Sequence, residues 1–219
     1  MELFVDTGPK PEEGIWEYDR YWRNQGYELI AGTDEAGRGP LAGPVVAAAV
    51  VLPREIEIPY LNDSKLLSER RREFLFSEVC EKAIAVAWCR IEPVEIDRLN
   101  IYQASRLAMM MALGNLNQPV DLVLSDAMPL PDIAFPCIPI IHGDRLSASI
   151  AAASIIAKVI RDRIMTEMDL PYPQYRFGKH KGYATQKHLQ ALQLYGPCDI
   201  HRRSFAPVKS WRALTDESN

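Results

Sequence analysis

The sequence lacks the features that would place it in several common protein classes. None of its apolar runs approaches the roughly 20 residues that a membrane-spanning helix needs, which predicts a protein without a membrane segment. Its four cysteines form no CxxC pair, which argues against a zinc site and favours reduced thiols. The N-terminus has no basic start with an apolar stretch and a small-residue cleavage site, so we expect a cytoplasmic protein.

An overall excess of positive charge is also missing, although the average hides a division along the chain. The 219 residues contain 29 acidic and 25 basic side chains, a net charge of −4. Residues 172–212 hold eight lysines and arginines and one acid, a charge of +7, which leaves 28 acids and 17 basic residues elsewhere. Because nucleic-acid partners require a basic footprint, we expect this basic segment to face such a partner.

Hydrophobic patterning alternates between buried-strand runs and helical periodicity. The predicted strands are residues 28–33, 45–52, 83–91, 121–125 and 137–141, the last weakened by Pro139. The predicted helices are residues 14–25, 68–82, 93–99, 101–116, 147–168 and 185–195. This order indicates an α/β protein with a mixed β-sheet flanked by helices.

Acidic residues cluster where the predicted strands end. Asp34 and Glu35 directly follow the first strand, and Asp126 lies at the end of the fourth. Asp144 follows the fifth strand and precedes a helix of small residues. Converging carboxylates would repel one another unless a hard cation held them, and two Mg²⁺ ions can clamp the reacting oxygens of a phosphodiester. Singly, Asp34 could be a turn residue and Asp144 a helix cap, but the joint pattern favours a metal site.

Three other segments have both a functional and a purely structural explanation. The glycine-rich loop at 37–44 can present N–H groups to an anion, although it matches no nucleotide-binding fingerprint. Residues 62–65 form a turn by default, or contact phosphate if they lie near the acids. In residues 177–185, cations alternate with Phe177 and Tyr183, which suits phosphate neutralisation and aromatic stacking but also a solvated basic face.

Taken together, these motifs resemble the type 2 ribonucleases H, specifically the ribonuclease HII family. The resemblance rests on GTDEAGRGPLAGPV at 32–45, DSK at 63–65, SD at 125–126, GD at 143–144, SASIAAASIIAK at 147–158 and HKGYAT at 180–185. It covers about residues 28–208 in the family's order.

The resemblance implies a ribonuclease H-like sheet with a helical C-terminal extension. The implied activity is endonucleolytic hydrolysis of RNA in RNA–DNA hybrids, including cleavage 5′ to a single ribonucleotide in duplex DNA. Two ions, Mg²⁺ or Mn²⁺, would act with the substrate and leave 5′-phosphate and 3′-hydroxyl ends. We expect three parts: a loosely attached N-terminal appendage (1–27), a catalytic domain (28–170) and a basic substrate-binding segment (171–219). We also expect a monomer, and the sequence leaves any replication partner open.

The resemblance also implies roles for individual residues. The expected metal ligands and catalytic acids are Asp34, Glu35, Asp126 and Asp144. The expected substrate contacts are Gly37, Arg38 and Gly39 at the 2′-hydroxyl, Tyr183 stacked on the deoxyribose at the RNA–DNA junction, Ser64 and Lys65 at a phosphate, and Lys181 in the basic segment.

Two other hypotheses remain at this point. One is a metal-dependent nuclease resembling a Holliday-junction resolvase, which shares acids at strand ends but has no need for a loop that senses the 2′-hydroxyl. The other is a non-catalytic binder of hybrid duplexes, which would bind without Mg²⁺ and would not need four converging acids.

Overall fold

A computed structural model of the chain describes residues 14–61, 64 and 67–211. The elements in these residues are α1 (Ile15–Asn24), β1 (Ile30–Ala36), β2 (Val45–Val51), α2 (Glu69–Lys82), β3 (Ala85–Ile91), α3 (Pro93–Leu99), α4 (Ile101–Gly114), β4 (Leu122–Asp126), β5 (Cys137–Ile140), α5 (Ala148–Glu167), α6 (Phe177–His180) and α7 (Gln186–Tyr195). Every predicted strand and helix is present, with ends shifted by at most three residues. No helix in the described ranges is long and apolar enough to cross a membrane.

The five strands form one mixed sheet in the order β3-β2-β1-β4-β5, which confirms the predicted α/β architecture. The central strand β1 runs antiparallel to β2 and parallel to β4. β3 pairs antiparallel with β2, and β5 pairs parallel with β4. Pro139 is tolerated because β5 lies at the edge of the sheet, where a missing backbone donor costs little.

β1 is longer than predicted, and this changes the setting of its acids. The prediction that the strand ends at Thr33 is wrong, because pairing with β2 continues through Asp34 opposite Ala48 and Glu35 opposite Ala47. β2 is made of valines and alanines and is buried along its whole length, so it offers a continuous partner. Asp34 therefore belongs to a central strand instead of a turn, and only 2% of it is exposed.

Helix α5 packs across one face of the sheet, with its small N-terminal residues against β1. A Cβ at Gly32 would lie 2.1 Å from the backbone carbon of Ser149, so a glycine is required where strand and helix meet. Helix α4 covers the opposite face, where Ala104, Ala108 and Met109 are completely buried. The close approach of α5 brings its N-terminal half to the carboxyl end of β1, where the acids lie.

Helix α1 is firmly attached, so the predicted loose attachment of the N-terminal appendage is wrong for this part of it. Asp19 is 4% exposed, and its carboxylate accepts hydrogen bonds from the Ser147 hydroxyl (2.6 Å) and the Ser149 N–H (2.9 Å). Burial raises the pKa of Asp19 above its ordinary value, while these two donors oppose the shift. The helix thus caps the beginning of α5. The domain boundaries themselves stay predictions.

The C-terminal segment packs against the glycine-rich loop of residues 37–44. Backbone hydrogen bonds join Leu41 N–H to Gly182 O (2.8 Å) and Gly43 N–H to Ile200 O (2.8 Å). Phe177, expected to be available for stacking on a ligand, is instead completely buried in a small core of this segment. The short helix α6, which begins at Phe177, was not predicted, since four residues carry too little periodicity to reveal a helix.

Candidate metal centre and nucleic-acid cleft

Three of the predicted acids converge at the carboxyl edge of the sheet. Thr33 pairs with Ser125, so the next residues, Asp34 and Asp126, lie side by side on parallel strands. Asp144 follows β5 in a single turn of 3-10 helix. One carboxylate oxygen from each of the three aspartates lies within 4.8 Å of the others. Three sequence-distant segments therefore supply one compact set of oxygen ligands.

Glu35 occupies a different position from the other three acids. Successive side chains of a strand point to opposite faces, so Glu35 and Asp34 leave β1 on opposite sides. Glu35 is not part of the three-aspartate group, but it lines the same cleft. A guanidinium nitrogen of Arg38 lies 3.4 Å from its carboxylate. The structure thus brings together three of the four predicted ligands and places the fourth elsewhere in the lining of the cleft.

The electrostatics of Asp34 suit a metal ligand. Burial raises the pKa of this carboxyl well above its ordinary value, and the charges of Glu35 and Asp126 raise it further. A hydrogen bond from Ser154 opposes the shift but does not cancel it. A divalent cation would relieve both the desolvation and the repulsion, because it replaces lost water and neutralises the carboxylates. The all-oxygen donor set fits Mg²⁺ or Mn²⁺.

Three of the acids, Asp34, Glu35 and Asp126, line a cleft of about 310 Å³. Its lining residues are Asp34, Glu35, Ala36, Gly37, Arg38, Gly39, Ser64, Asp126, Ser154, Lys158 and Tyr183. The cleft therefore joins Asp34, Glu35 and Asp126 to the glycine-rich loop and to Tyr183. Tyr183 is 46% exposed, so part of its ring is accessible to a ligand.

Two lining residues, Ser154 and Lys158, were not predicted as site residues. The hydroxyl of Ser154 lies 2.8 Å from that of Ser64, and the ammonium of Lys158 lies 2.6 and 2.7 Å from the two carboxylate oxygens of Asp162. Burial lowers the pKa of Lys158, while Asp162 opposes the shift. The sequence did carry a signal for Ser154 and Lys158, because residues four apart on a helix share one face.

Two buried arginines, Arg161 and Arg202, hold the glycine-rich loop and are here called the loop-clamping arginines. Arg161 donates to the carbonyls of residues 42, 44 and 181 at 3.0–3.2 Å. Arg202 donates to the carbonyls of Gly37 (2.6 Å), Arg38 (2.8 Å) and Gly43 (3.0 Å). Neither forms a close ion pair with any residue the structure describes, so both charges depend mainly on the dipoles of these backbone carbonyls, and Arg202 also lies over the Phe205 ring at 5.0 Å.

Burial of Arg202 corrects the expectation that the whole basic segment faces a partner. Arg202 is 0% exposed, and burial together with the charge of Arg161 lowers its pKa to about 9. His188 and His201 are buried in the same segment. Part of the segment's positive charge therefore supports the loop from within, which no local sequence pattern distinguishes from a surface charge.

Of the remaining predicted contacts, Lys181 does not line the cleft. The Lys181 ammonium donates to the Asp162 carbonyl (3.2 Å) and the Thr166 hydroxyl (2.6 Å) on α5, and Lys181 is not among the cleft's lining residues. Lys65 lies outside the described residues. Ser64, its neighbour in the predicted phosphate loop, does line the cleft.

Comparison with known proteins identifies the family. The family model described as "Ribonuclease HII" matches residues 31–208. The chain belongs to the ribonuclease HII family. Its curated relatives include the ribonuclease HII of Bacillus cytotoxicus, 53% identical over 193 residues, and that of Desulfitobacterium hafniense, 55% identical over 193 residues. Each alignment covers 88% of this chain and 74% of the relative.

Solved structures of ribonucleases H agree with this assignment. The crystal structure of ribonuclease H2 from Pyrococcus horikoshii superposes with a TM-score of 0.68 at 25% identity, covering 83% of this chain and 96% of that one. The ribonuclease HII in a PCNA complex from Archaeoglobus fulgidus gives 0.64 at 25% identity, with 79% and 91% covered. Membership of the ribonuclease HII family makes this protein a metal-dependent ribonuclease H, which rules out a junction resolvase and a non-catalytic binder.

Proposed function

We propose that this ribonuclease HII cuts the RNA strand of hybrids and the 5′ side of single ribonucleotides in duplex DNA by two-metal-ion catalysis. The observation that carries the proposal is the convergence of Asp34, Asp126 and Asp144. The first two of these line a cleft together with the loop at 37–39 and Tyr183. The same cleft can therefore hold the reacting phosphate and contact the sugar that carries the 2′-hydroxyl.

The acids would hold Mg²⁺ or Mn²⁺ together with the substrate phosphate. Asp34, Asp126 and Asp144 would supply the central oxygens, and Glu35, in the same cleft, would complete the set. When bound, such ions activate water and stabilise the leaving 3′ oxygen, which yields 5′-phosphate and 3′-hydroxyl ends. The Gly143 N–H donates to Asp126 Oδ1 at 2.8 Å, which helps to fix the orientation of this carboxylate.

Ser64, Ser154 and Lys158 form the polar wall that we assign to the substrate phosphates. The two hydroxyls can donate to phosphate oxygens, and the ammonium supplies a positive charge beside the acids. Lys65 adjoins this wall in sequence and stays a predicted phosphate contact. Lys181 stays a predicted contact to the duplex outside the cleft.

The loop at 37–39 is the proposed sensor of the 2′-hydroxyl. Arg202 donates to the carbonyls of Gly37 and Arg38, so these carbonyls point toward its guanidinium. The N–H groups of the same two peptides, those of Arg38 and Gly39, therefore point away from it. Rigid backbone groups suit a hydroxyl that both donates and accepts, since no side chain has to be ordered. Tyr183, beside Gly39, would stack on the next sugar.

The decisive experiment uses duplex DNA with one internal ribonucleotide, incubated with Mg²⁺, Mn²⁺ or chelator, with the ends mapped. We expect metal-dependent cleavage on the 5′ side of the ribonucleotide. Asp126→Asn should abolish turnover and leave hybrid binding largely intact, because it removes a metal ligand. The matched control is Asp199→Asn, at an exposed aspartate of the C-terminal segment, which should retain full activity. Equal cleavage of all-DNA duplex would refute the proposal.

A second experiment tests Tyr183. Tyr183→Ala should reduce kcat/KM for a single ribonucleotide more than for a long hybrid, since only the first substrate depends on the junction. Tyr195→Ala, at a tyrosine 55% exposed at the end of α7, is the matched control and should change neither value. An equal loss on both substrates would remove Tyr183 from junction recognition.

A further inference from the structure

Three histidines, two of them buried and His180 partly buried, form a group that ends at the backbone of Tyr183. His188 and His201 are 0% and 1% exposed. The ring of His180 stacks on that of His188, with centroids 4.4 Å apart. The described residues that line the cleft include no histidine, so the proposed chemistry gives these three no direct task.

Backbone donors determine which ring nitrogen carries each proton. The Cys198 N–H donates to His201 Nδ1 at 3.0 Å, so Nδ1 is an acceptor and neutral His201 carries its proton on Nε2. His201 Nε2 lies 3.1 Å from His188 Nε2 and must donate to it. His188 is therefore protonated on Nδ1, which donates to the Tyr183 carbonyl at 2.9 Å. Burial lowers the pKa of both rings to about 4, which keeps them neutral at pH 7.

We propose that His188 is a positioning residue that fixes the peptide of Tyr183, and that His201 selects the His188 nitrogen that does so. This inference rests on the function proposed for Tyr183. The same carbonyl also accepts from the Thr185 N–H at 2.8 Å, and the Tyr183 N–H donates to the His180 carbonyl at 2.9 Å. With its main chain held on both sides, Tyr183 can present a half-exposed ring at little entropic cost.

Because the two ring nitrogens of His188 bind different partners, two substitutions at this position can each remove one hydrogen bond and keep the other. In His188→Asn the amide nitrogen reaches about where Nδ1 lies, so the bond to the Tyr183 carbonyl is kept and the bond to His201 is lost. In His188→Gln the amide reaches about where Nε2 lies, so the bond to His201 is kept and the bond to Tyr183 is lost. Each variant removes one hydrogen bond of a buried side chain, so a merely structural role would make their effects alike.

The experiment measures kcat/KM for a single ribonucleotide in duplex DNA and for a long hybrid, and compares their ratio. We expect His188→Gln to lower this ratio about two- to tenfold, the range for loss of one neutral hydrogen bond, and His188→Asn to leave it nearly unchanged. Adding His188→Gln to Tyr183→Ala should cause no further loss in the ratio, because both act through one residue. Equal changes in the Asn and Gln variants overturn the proposal.

An independent measurement does not require activity. Nitrogen-15 NMR of the folded wild-type protein at neutral pH should show His188 protonated on Nδ1 and His201 on Nε2, and the opposite tautomers overturn the inference. The outcomes also separate the two proposals. If Tyr183→Ala leaves the substrate ratio unchanged, the role of Tyr183 is refuted. If Tyr183→Ala lowers the ratio and His188→Gln does not, the role of His188 is refuted.

Discussion

Replacing Arg202 by methionine tests whether a buried cation, and not surface charge, organises the glycine-rich loop of residues 37–44. The substitution removes three hydrogen bonds that the guanidinium donates to the carbonyls of Gly37, Arg38 and Gly43. An unpaired buried carbonyl costs about 1–3 kcal/mol, so three cost about 3–9 kcal/mol. Relief from burying a charge without a carboxylate partner offsets several kcal/mol of this. We therefore expect the free energy of unfolding to fall by about 2–4 kcal/mol.

Urea denaturation gives the change in stability, and hydrogen exchange shows where it acts. Exchange should accelerate in residues 37–44, and kcat/KM for the single ribonucleotide should fall with it. The matched control is Arg203→Met, at the next residue along the chain. Arg203 is exposed, and its guanidinium donates to the Pro197 carbonyl at 3.2 Å. The free energy of unfolding should therefore change by about 0.5 kcal/mol or less in this variant. Stability within about 1 kcal/mol of wild type in Arg202→Met, with unchanged exchange in the loop, would refute the reasoning.

Three further predictions follow from the same structure. Gly37→Ala should lower the free energy of unfolding, measured by urea denaturation, by about 2 kcal/mol or more, because φ is +99° and the new Cβ would lie 2.0 Å from Arg161 Nε. Gly114→Ala is the control and should cost no stability, because nothing lies within 4 Å of its Cβ. In chelator, Asp126→Asn should raise Tm by a few degrees through relief of carboxylate repulsion, a gain that excess Mn²⁺ abolishes. Since burial lowers the pKa of His188 and His201 to about 4, protonation of these rings favours the unfolded chain below pH 6.5. The contribution of each ring to stability should therefore fall by about 2 kcal/mol between pH 7 and 5, and a His188→Asn/His201→Gln variant should not show this loss.

Much of the fold could be predicted because its signals are local. Ser68, Ser147 and Thr185 were expected to begin helices, and each accepts the capping hydrogen bond from a backbone N–H three residues later. The all-apolar run of β2 predicted a strand buried on both faces. The end of β1 was missed, because the pairing that extends it through Glu35 depends on a strand ten residues away.

By itself, the sequence determined the elements, the family and the acids that converge, since strand-end position and motif order can be read along one chain. Only the tertiary structure decided what surrounds those acids. It placed Ser154 and Lys158 in the cleft, set Glu35 apart from the three aspartates, and buried Arg202 against the loop. The physical reason is that a charged side chain looks the same in sequence whether it meets solvent, a ligand or a backbone carbonyl. Its partner is chosen by contacts between residues far apart in the chain.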